Sequence, residues 1–221
     1  MKTVMLLHTV KSVCDTFGPA LSEVLGPDVV ICDMLDTFLA DDPARHGGVF
    51  SSENKLRFVH ALESAQIAKP DVIVVTCNSL SPYLPGLRPF FSVPIIAIDY
   101  AMCSAALDIG GTIAVLATAT SALESLLWKL RYLAREREVD ITLSGFCNPD
   151  AIAALKAGDR ETHDRLILEM AGNVDSSFKA IVLAQASMAG MRDEVEKLTG
   201  IRTFTSPDLC QAEVKRFLDT N

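Results

Sequence analysis

Residues 3–12 read TVMLLHTVKS and residues 112–121 read TIAVLATATS, so an apolar run with a Thr/Ser-rich tail recurs 109 positions later. A second pair of segments, DVIVVTCNSLS at 71–81 and KAIVLAQASMA at 179–189, recurs with an offset of 108. Apolar strands resemble one another by chance, but two blocks with nearly one offset indicate a duplicated β/α unit. The loop residues that match are Thr9 and Thr118, Ser12 and Ser121, and Ser79 and Ser187.

Eight short apolar runs alternate with helical segments along the chain. Their hydrophobicity is continuous rather than alternating, which is typical of strands in a parallel sheet covered by helices. The sequence therefore predicts an α/β fold of two pseudo-symmetric doubly wound halves, each with a mainly parallel four-stranded sheet, and a cleft between them. The predicted halves are 1–97 with 206–221, and 98–205. The predicted strands are 3–7, 28–32, 71–76, 93–98, 112–117, 140–144, 179–184 and 201–204.

Several helix ends carry local signals. Ser121 and Glu124 match an S-x-x-E capping box at the start of a Leu-rich helix. Asn148-Pro149 and Ser206-Pro207 each predict a cap followed by proline in the first helical turn.

The segment between the second and third predicted strands divides into two parts. Residues 36–50 show no periodicity and contain Gly47-Gly48, which predicts a functional loop or lid. Residues 52–68 show helical periodicity and are followed by Pro70. The residues of this helix that are predicted to point inward are Leu56, Val59, Leu62 and Ile67.

Charge and hydropathy restrict the partners. The chain has 28 acidic and 20 basic residues and a net charge of −8, which disfavours a nucleic-acid partner. Its apolar runs have strand length, far below the ~20 residues of a membrane helix. The first run is also too short for the apolar part of a signal peptide. We therefore expect a cytoplasmic protein that binds neither nucleic acid nor membrane.

The sequence shows no familiar cofactor motif. Its six cysteines form no C-x-x-C pair and its four histidines form no H-x-x-x-H, so free thiols are expected and a zinc site is not. The glycine-rich fingerprints of dinucleotide and phosphate binding and the G-x-S-x-G motif of serine hydrolases are missing too. We expect neither a metal nor an organic cofactor.

Cys77 is the main candidate for chemistry. It follows a buried strand in VVTCNSLSPY, directly before a predicted helix whose free N–H groups lower the pKa of a thiol. Asn78 and Ser79 add side-chain donors for a small anion such as a carboxylate. The alternative is a structural cysteine, since free Cys often behaves as a small hydrophobe. The polar pair after Cys77 favours the catalytic interpretation.

The TCNS segment at 76–79, the LAQASMA segment at 183–189 and the Thr-rich first loops together resemble the aspartate/glutamate racemase superfamily. This group includes glutamate, aspartate and hydantoin racemases, maleate isomerase and arylmalonate decarboxylase. The resemblance extends over nearly the whole chain, including 101–127 and 157–166.

This resemblance implies an enzyme without a cofactor that holds a small carboxylic acid between two thiols, one from each half. One thiolate removes the proton on the α-carbon, and the opposite thiol delivers a proton to the other face. The resemblance implies that Cys77 is the first thiol and that the protein forms a homodimer or a higher homo-oligomer. The substrate-binding residues that it implies are His8, Thr9, Asn78, Ser79, Thr118, Ala119, Thr120, Gln185, Ala186 and Ser187.

The sequence departs from the family at the second thiol. The offset of 108 aligns Cys77 with Gln185, and a carboxamide is neither an acid nor a base near neutral pH. Three functions stay open: a racemase or isomerase, a single-thiol lyase that resembles the decarboxylase, and a carboxylate-binding protein without activity.

Three further polar residues have alternative roles. His8 is either a site residue or a cap for the helix that follows it. His163 lies in the first turn of a predicted helix and is expected to be solvated. Ser187 is either an N-cap or a carboxylate ligand, and the two roles are compatible.

Overall fold

The computed structural model describes residues 1–220, apart from the side chain of Ala44. Contacts between Cα atoms divide the chain into two units. Unit 1 comprises Met1–Ile98 together with the C-terminal segment that begins at Asp208, and unit 2 comprises Asp99–Pro207.

Each unit contains one four-stranded sheet in which every strand pair is parallel. The strand orders are β2-β1-β3-β4 in unit 1 and β6-β5-β7-β8 in unit 2, so the topology is repeated. This arrangement confirms the predicted fold class. The strands are β1 (Lys2–His8), β2 (Val29–Leu35), β3 (Val72–Val75), β4 (Ile95–Ala97), β5 (Gly111–Ala117), β6 (Ile141–Cys147), β7 (Ala180–Leu183) and β8 (Thr203–Phe204).

The helices connect successive strands, as parallel pairing requires. Those of unit 1 are α1 (Lys11–Leu25), α2 (Phe38–Arg45), α3 (Ser52–Ile67) and α4 (Leu84–Leu87), with 3₁₀ helices at Asn78–Tyr83 and Arg88–Phe90. Those of unit 2 are α5 (Tyr100–Ile109), α6 (Thr120–Glu136), α7 (Pro149–Lys156), α8 (Arg160–Ala171) and α9 (Arg192–Thr199), with a 3₁₀ helix at Ala186–Met191. The last helix, α10 (Ser206–Thr220), starts at the boundary between the units.

The strand register reproduces the internal repeat. Val4 of β1 pairs with Val72 of β3, and Ile113 of β5 pairs with Ala180 of β7. These two pairs differ by the offsets of 109 and 108 that the sequence shows. Positions related by these offsets therefore occupy equivalent places in the two units.

Each unit has a core between its sheet and its helices. In unit 1, Phe58, Leu62 and Ala65 of α3 belong to a buried cluster with residues of β1 and β3. In unit 2, Ile167 and Met170 of α8 belong to a corresponding cluster with residues of β5 and β7. Burial of these apolar side chains is the main favourable contribution to folding.

Several local predictions are wrong. Leu56 and Ile67 of α3 are 55% and 78% exposed, because the face that includes Phe58 and Leu62 turns inward. Ser121 caps no helix, since α6 begins one residue earlier with Ala119 at its N-cap. The predicted loop at 36–50 includes a helix, α2.

Other end signals are confirmed. Asn148 is the N-cap of α7, where its side chain accepts a hydrogen bond from the backbone N–H of Asp150. Pro149 is the first residue of that helix. Ser206 is not a cap before the last helix, because α10 already begins at Ser206, although Pro207 does lie in its first turn as predicted. Among residues 1–220, no helix has the length and apolar character that a membrane span needs.

Candidate active site

In unit 1 the candidate residues follow the carboxyl ends of β1 and β3, which are neighbours in the sheet. Thr9 comes directly after β1 and is buried. Cys77 comes two residues after β3 and is the extended N-cap residue of the 3₁₀ helix Asn78–Tyr83. Parallel pairing brings these two strand ends to one edge of the sheet, where open α/β sheets bind ligands.

The Cys77 thiol is surrounded by hydrogen-bond donors. It is half-buried and forms hydrogen bonds with the Thr9 hydroxyl, the Ser79 hydroxyl and the backbone N–H groups of Ser79 and Leu80. Asn78, the first residue of the 3₁₀ helix, is half-buried as well. The donors favour the thiolate, which gives the unit 1 site the means to stabilise a negative sulfur.

Burial outweighs these donors and raises the pKa of the Cys77 thiol above its ordinary value. The expectation that a helix N-terminus gives Cys77 a lowered pKa is therefore wrong. The first N–H groups of the 3₁₀ helix do favour the thiolate, but the hydration that the charged sulfur loses on burial outweighs them. Cys77 accordingly rests as a protonated thiol near neutral pH.

His8, the last residue of β1, is fully buried. Its Nδ1 lies 2.8 Å from Thr76 Oγ1 and its Nε2 lies 3.0 Å from Asp33 Oδ1. Burial lowers the pKa of His8, while Asp33 opposes that effect, and the net shift is downward. His8 does not cap α1, because the N-cap is Val10 and has no side-chain cap bond. Its ring instead joins β2 to the residue that precedes Cys77.

In unit 2 the equivalent strand ends are joined by a different contact. The backbone N–H of Thr118 donates to Gln185 Oε1 at 2.7 Å. Thr118 is buried, and Gln185 is the half-buried N-cap residue of the 3₁₀ helix Ala186–Met191. Because this contact occupies the carbonyl oxygen of Gln185, its NH₂ group is the part that can donate to a ligand.

The other predicted residues of unit 2 lie at the starts of helices. Ala119 is the N-cap residue of α6, and the exposed Thr120 is the first residue of that helix. Ala186 and Ser187 open the 3₁₀ helix Ala186–Met191, and both are half-buried. The expectation that Ser187 is an N-cap is wrong, because Gln185 occupies that position.

Cys147 is a thiol that sequence reasoning did not place near the predicted residues. It ends β6 opposite Ala117 of β5 and forms a hydrogen bond with the Thr120 hydroxyl. Burial raises the pKa of the Cys147 thiol, and the bond from Thr120 opposes that effect. Cys147 could have been identified by its position at the end of a strand, next to the loop that follows the first strand of unit 2.

Two other histidines differ in burial. His163 is fully buried with Nδ1 2.6 Å from Asp164 Oδ1, so the expectation that it is solvated is wrong. His46 is 63% exposed and lies after α2, where its Nδ1 is 2.8 Å from Asp42 O.

One group of potential metal ligands forms in unit 1 without a sequence motif. The ligand atoms of His8, Cys14 and Asp33 all lie within 4.8 Å of one another. These residues come from β1, α1 and β2, so ligand spacing along the sequence gives no sign of the group.

The fold and the strand-end residues thus define a two-unit α/β protein with a donor-lined thiol in unit 1. The family model for Asp/Glu/Hydantoin racemase matches residues 10–212 of this sequence. The chain therefore belongs to the Asp/Glu/Hydantoin racemase family. None of the curated proteins matches the sequence significantly.

Solved structures share the fold at low sequence identity. Glutamate racemase from Thermus thermophilus, in complex with β-chloro-D-alanine, has a TM-score of 0.74 at 19% identity, over 99% of this chain and 81% of that chain. Aspartate racemase from Picrophilus torridus has a TM-score of 0.74 at 15% identity, over 98% and 94%. Allantoin racemase from Pseudomonas fluorescens has a TM-score of 0.64 at 14% identity, over 99% and 91%.

Proposed function

We propose that this chain is an isomerase that transfers a proton at the carbon alpha to the carboxylate of a small amino acid or related acid, with Cys77 as the acid/base group. Membership of the Asp/Glu/Hydantoin racemase family supports the reaction class. The single observation that carries the assignment of Cys77 is its ring of donors from Thr9, Ser79 and Leu80. A group that alternates between thiol and thiolate needs such donors in its charged state.

The proton transfer uses the two states of one sulfur atom. As a thiolate, Cys77 takes the α-proton, and the electron pair of the broken C–H bond moves into the adjacent carboxylate as an enolate. As a thiol, it can return a proton to the face from which the proton came, which gives exchange with retention; inversion follows when a proton from water reaches the opposite face, and in both cases the electron pair moves back to that carbon. The resting thiol must lose its proton before the first of these steps, because burial raises its pKa. No pyridoxal phosphate takes part in this scheme.

Each unit has strand-end residues that we assign to carboxylate binding. In unit 1 these are Thr9, Asn78 and Ser79, with His8 as the residue that orients Thr76 next to Cys77. Donors directed at a carboxylate stabilise the charge that develops on its oxygens, which is a large part of such catalysis. In unit 2 the assigned residues are Thr118, Ala119, Thr120, Gln185, Ala186 and Ser187.

A single-thiol lyase is the second candidate, and the Thr118–Gln185 contact favours it. Gln185 stands where the family pattern has its second thiol, and its Oε1 accepts from the Thr118 N–H. A carboxamide held in this way orients a ligand but transfers no proton. In this alternative, Cys77 protonates a carbanion that loss of carbon dioxide leaves behind.

Label from deuterated water distinguishes the candidates. The wild type is incubated with each antipode of aspartate, glutamate and allantoin and with substituted malonates, followed by chiral chromatography and mass spectrometry. An isomerase places deuterium at the α-carbon of recovered or isomerised substrate, whereas a lyase labels only the decarboxylated product. Cys77→Ser should lose most turnover, because a hydroxyl is far less acidic than a thiol. If no compound takes up label, the chain is a binding protein and the proposal fails.

A further inference from the structure

The group formed by His8, Cys14 and Asp33, named here the unit 1 cluster, includes neither Cys77 nor a residue that donates to its sulfur. His8 Nε2 lies 3.0 Å from Asp33 Oδ1, and Cys14 Sγ lies within 4.8 Å of both ligand atoms. His8 is fully buried, Cys14 is half-buried, and the Asp33 side chain is 41% exposed. The cluster therefore has a buried floor and one side that is open to solvent.

The hydrogen bonds of Thr76 orient the His8 ring. Thr76 Oγ1 lies 3.1 Å from Leu7 O and 2.8 Å from His8 Nδ1, so its hydroxyl contacts one ring nitrogen of His8. The other ring nitrogen, Nε2, donates its hydrogen to Asp33 Oδ1 at 3.0 Å. An outer hydrogen bond on one ring nitrogen is the usual support for metal binding by the other. A divalent cation held by Nε2 and the carboxylate would take the place of the shared hydrogen, and the ring hydrogen would then lie on Nδ1 and be donated to Thr76 Oγ1.

Unit 2 shows that the fold does not require this cluster. The repeat offset of 109 and the strand register place Ala117, Leu123 and Gly145 at the positions equivalent to the unit 1 cluster. A Cβ on Gly145 would lie 3.0 Å from Leu123 Cδ1, so the leucine side chain fills that space. The same three places are thus apolar and packed in one unit, and offer N, S and O ligands in the other.

Gly18 makes room for the carboxylate of Asp33. It lies four residues after Cys14 on α1, and therefore on the same face of that helix. A Cβ at Gly18 would lie 3.1 Å from Asp33 Oδ1 and 3.6 Å from Oδ2. The carboxylate accordingly lies against the helix beside Cys14.

We propose that His8, Cys14 and Asp33 bind a divalent cation of the zinc class through Nε2, Sγ and a carboxylate oxygen, with the fourth position open to solvent. Such ions accept imidazole, thiolate and carboxylate together, at about 2.0–2.3 Å in tetrahedral geometry. Small side-chain rotations of Cys14 and Asp33 bring the ligand atoms to these distances. Binding forms three metal–ligand bonds and releases the Cys14 thiol proton to solvent.

The metal alone tests the proposal, with cobalt as a spectroscopic probe for zinc. Titration of the metal-free wild type with Co²⁺ should give a thiolate-to-cobalt charge-transfer band that saturates at one equivalent and is displaced by Zn²⁺. Cys14→Ser should lose the band, and Asp33→Asn should weaken binding at least about 100-fold, the upper end of what loss of an outer-shell partner costs. Cys77→Ser and Cys147→Ser are matched controls that keep the band.

Gly18→Ala changes the cluster without removing a ligand. The added methyl displaces the Asp33 carboxylate, and we expect affinity for Co²⁺ to fall about 10–100-fold. Circular dichroism is the control that checks whether each variant remains folded. The proposal is overturned if the wild type gives no band, if Cys14→Ser keeps it, or if it disappears with Cys77→Ser. None of these readouts uses a substrate, so a failure here leaves the proposed isomerase activity unaffected, and the reverse also holds.

Discussion

The two units share strand order and register but differ in the chemistry at their strand ends. Unit 1 places the thiol of Cys77 beside the Thr9 hydroxyl, whereas unit 2 places the carboxamide of Gln185 on the Thr118 N–H. In both units, the loop after the first strand (β1 or β5) thus contacts the residue that follows the third strand (β3 or β7), although different atoms make the contact. The comparison teaches that the duplicated fold supplies equivalent positions and that single residues decide whether a strand end presents a thiol or a carboxamide.

The largest expected effect comes from making unit 2 resemble the family pattern. Gln185→Cys supplies a second thiol, and proton transfer by a positioned group contributes ~10²–10⁴ in rate. We expect Gln185→Cys to invert the substrate faster than the wild type, in which Cys77 alone serves one face and exchange with retention predominates. Chiral chromatography in deuterated water measures it, with Gln185→Ser as the control that removes the carboxamide without adding a thiol. Equal rates in the two variants would contradict the comparison.

The pH dependence should show the protonation state of Cys77. Burial raises the pKa of this thiol, so the thiolate is the minor form near neutral pH. Removal of the α-proton needs the thiolate, so kcat/KM for this step should rise about tenfold per pH unit below that pKa. Delivery of a proton needs the thiol, so the rate of this step should fall only above the same pKa. A proton-removal rate that is flat from neutral to alkaline pH would exclude Cys77 as the base.

Thr9 should affect activity through the sulfur atom. Thr9→Val removes a hydroxyl that stabilises the thiolate of Cys77, so the pKa of Cys77 should rise further. A hydrogen bond to a charged group contributes about 1.5–3 kcal/mol, so proton removal at neutral pH should slow at least about tenfold. The pH–rate profile measures both changes. Its alkaline shift separates this role from a structural one, and an unshifted profile would contradict it.

The smallest effect is expected at the equivalent residue of unit 2. Thr118 contacts Gln185 through its backbone N–H, and its buried Oγ1 has no hydrogen-bond partner among the residues that the structure describes. Thr118→Val keeps the contact and removes a costly unsatisfied group, so we expect the free energy of unfolding to rise by about 1 kcal/mol. Urea denaturation measures this, with Thr9→Val as the matched variant that should not gain stability. A loss of stability in Thr118→Val would show that its hydroxyl has a partner.

Much of the fold could be predicted from the sequence, since parallel strands buried on both faces leave continuous apolar runs. All eight predicted strands occur, and the offset of the repeat reappears in the register of β1 with β3 and β5 with β7. The face of each helix that turns toward the core was harder to predict. In α3, Leu56 is exposed and Phe58 is buried, because packing against the sheet rather than apolar character decides which face turns inward.

The site was predicted less completely, because contacts between distant elements leave no periodic signal. The position of Cys77 at a strand end followed from the sequence, but the sign of its pKa shift depends on burial that only the fold reveals. The unit 1 cluster joins residues of β1, α1 and β2, and Cys147 meets Thr120 only after β6 pairs with β5. Neither follows a ligand or catalytic spacing in the sequence.

The most direct test of the account is the rate of α-deuterium uptake in two matched thiol variants. Cys77→Ala and Cys147→Ala each remove a half-buried thiol at a strand end, one in each unit. With a substrate that the wild type labels, the account predicts a loss of ~10²–10⁴ in Cys77→Ala and a rate within about twofold of wild type in Cys147→Ala. Uptake that persists in Cys77→Ala and disappears in Cys147→Ala would place the acid/base group in unit 2 and contradict the account.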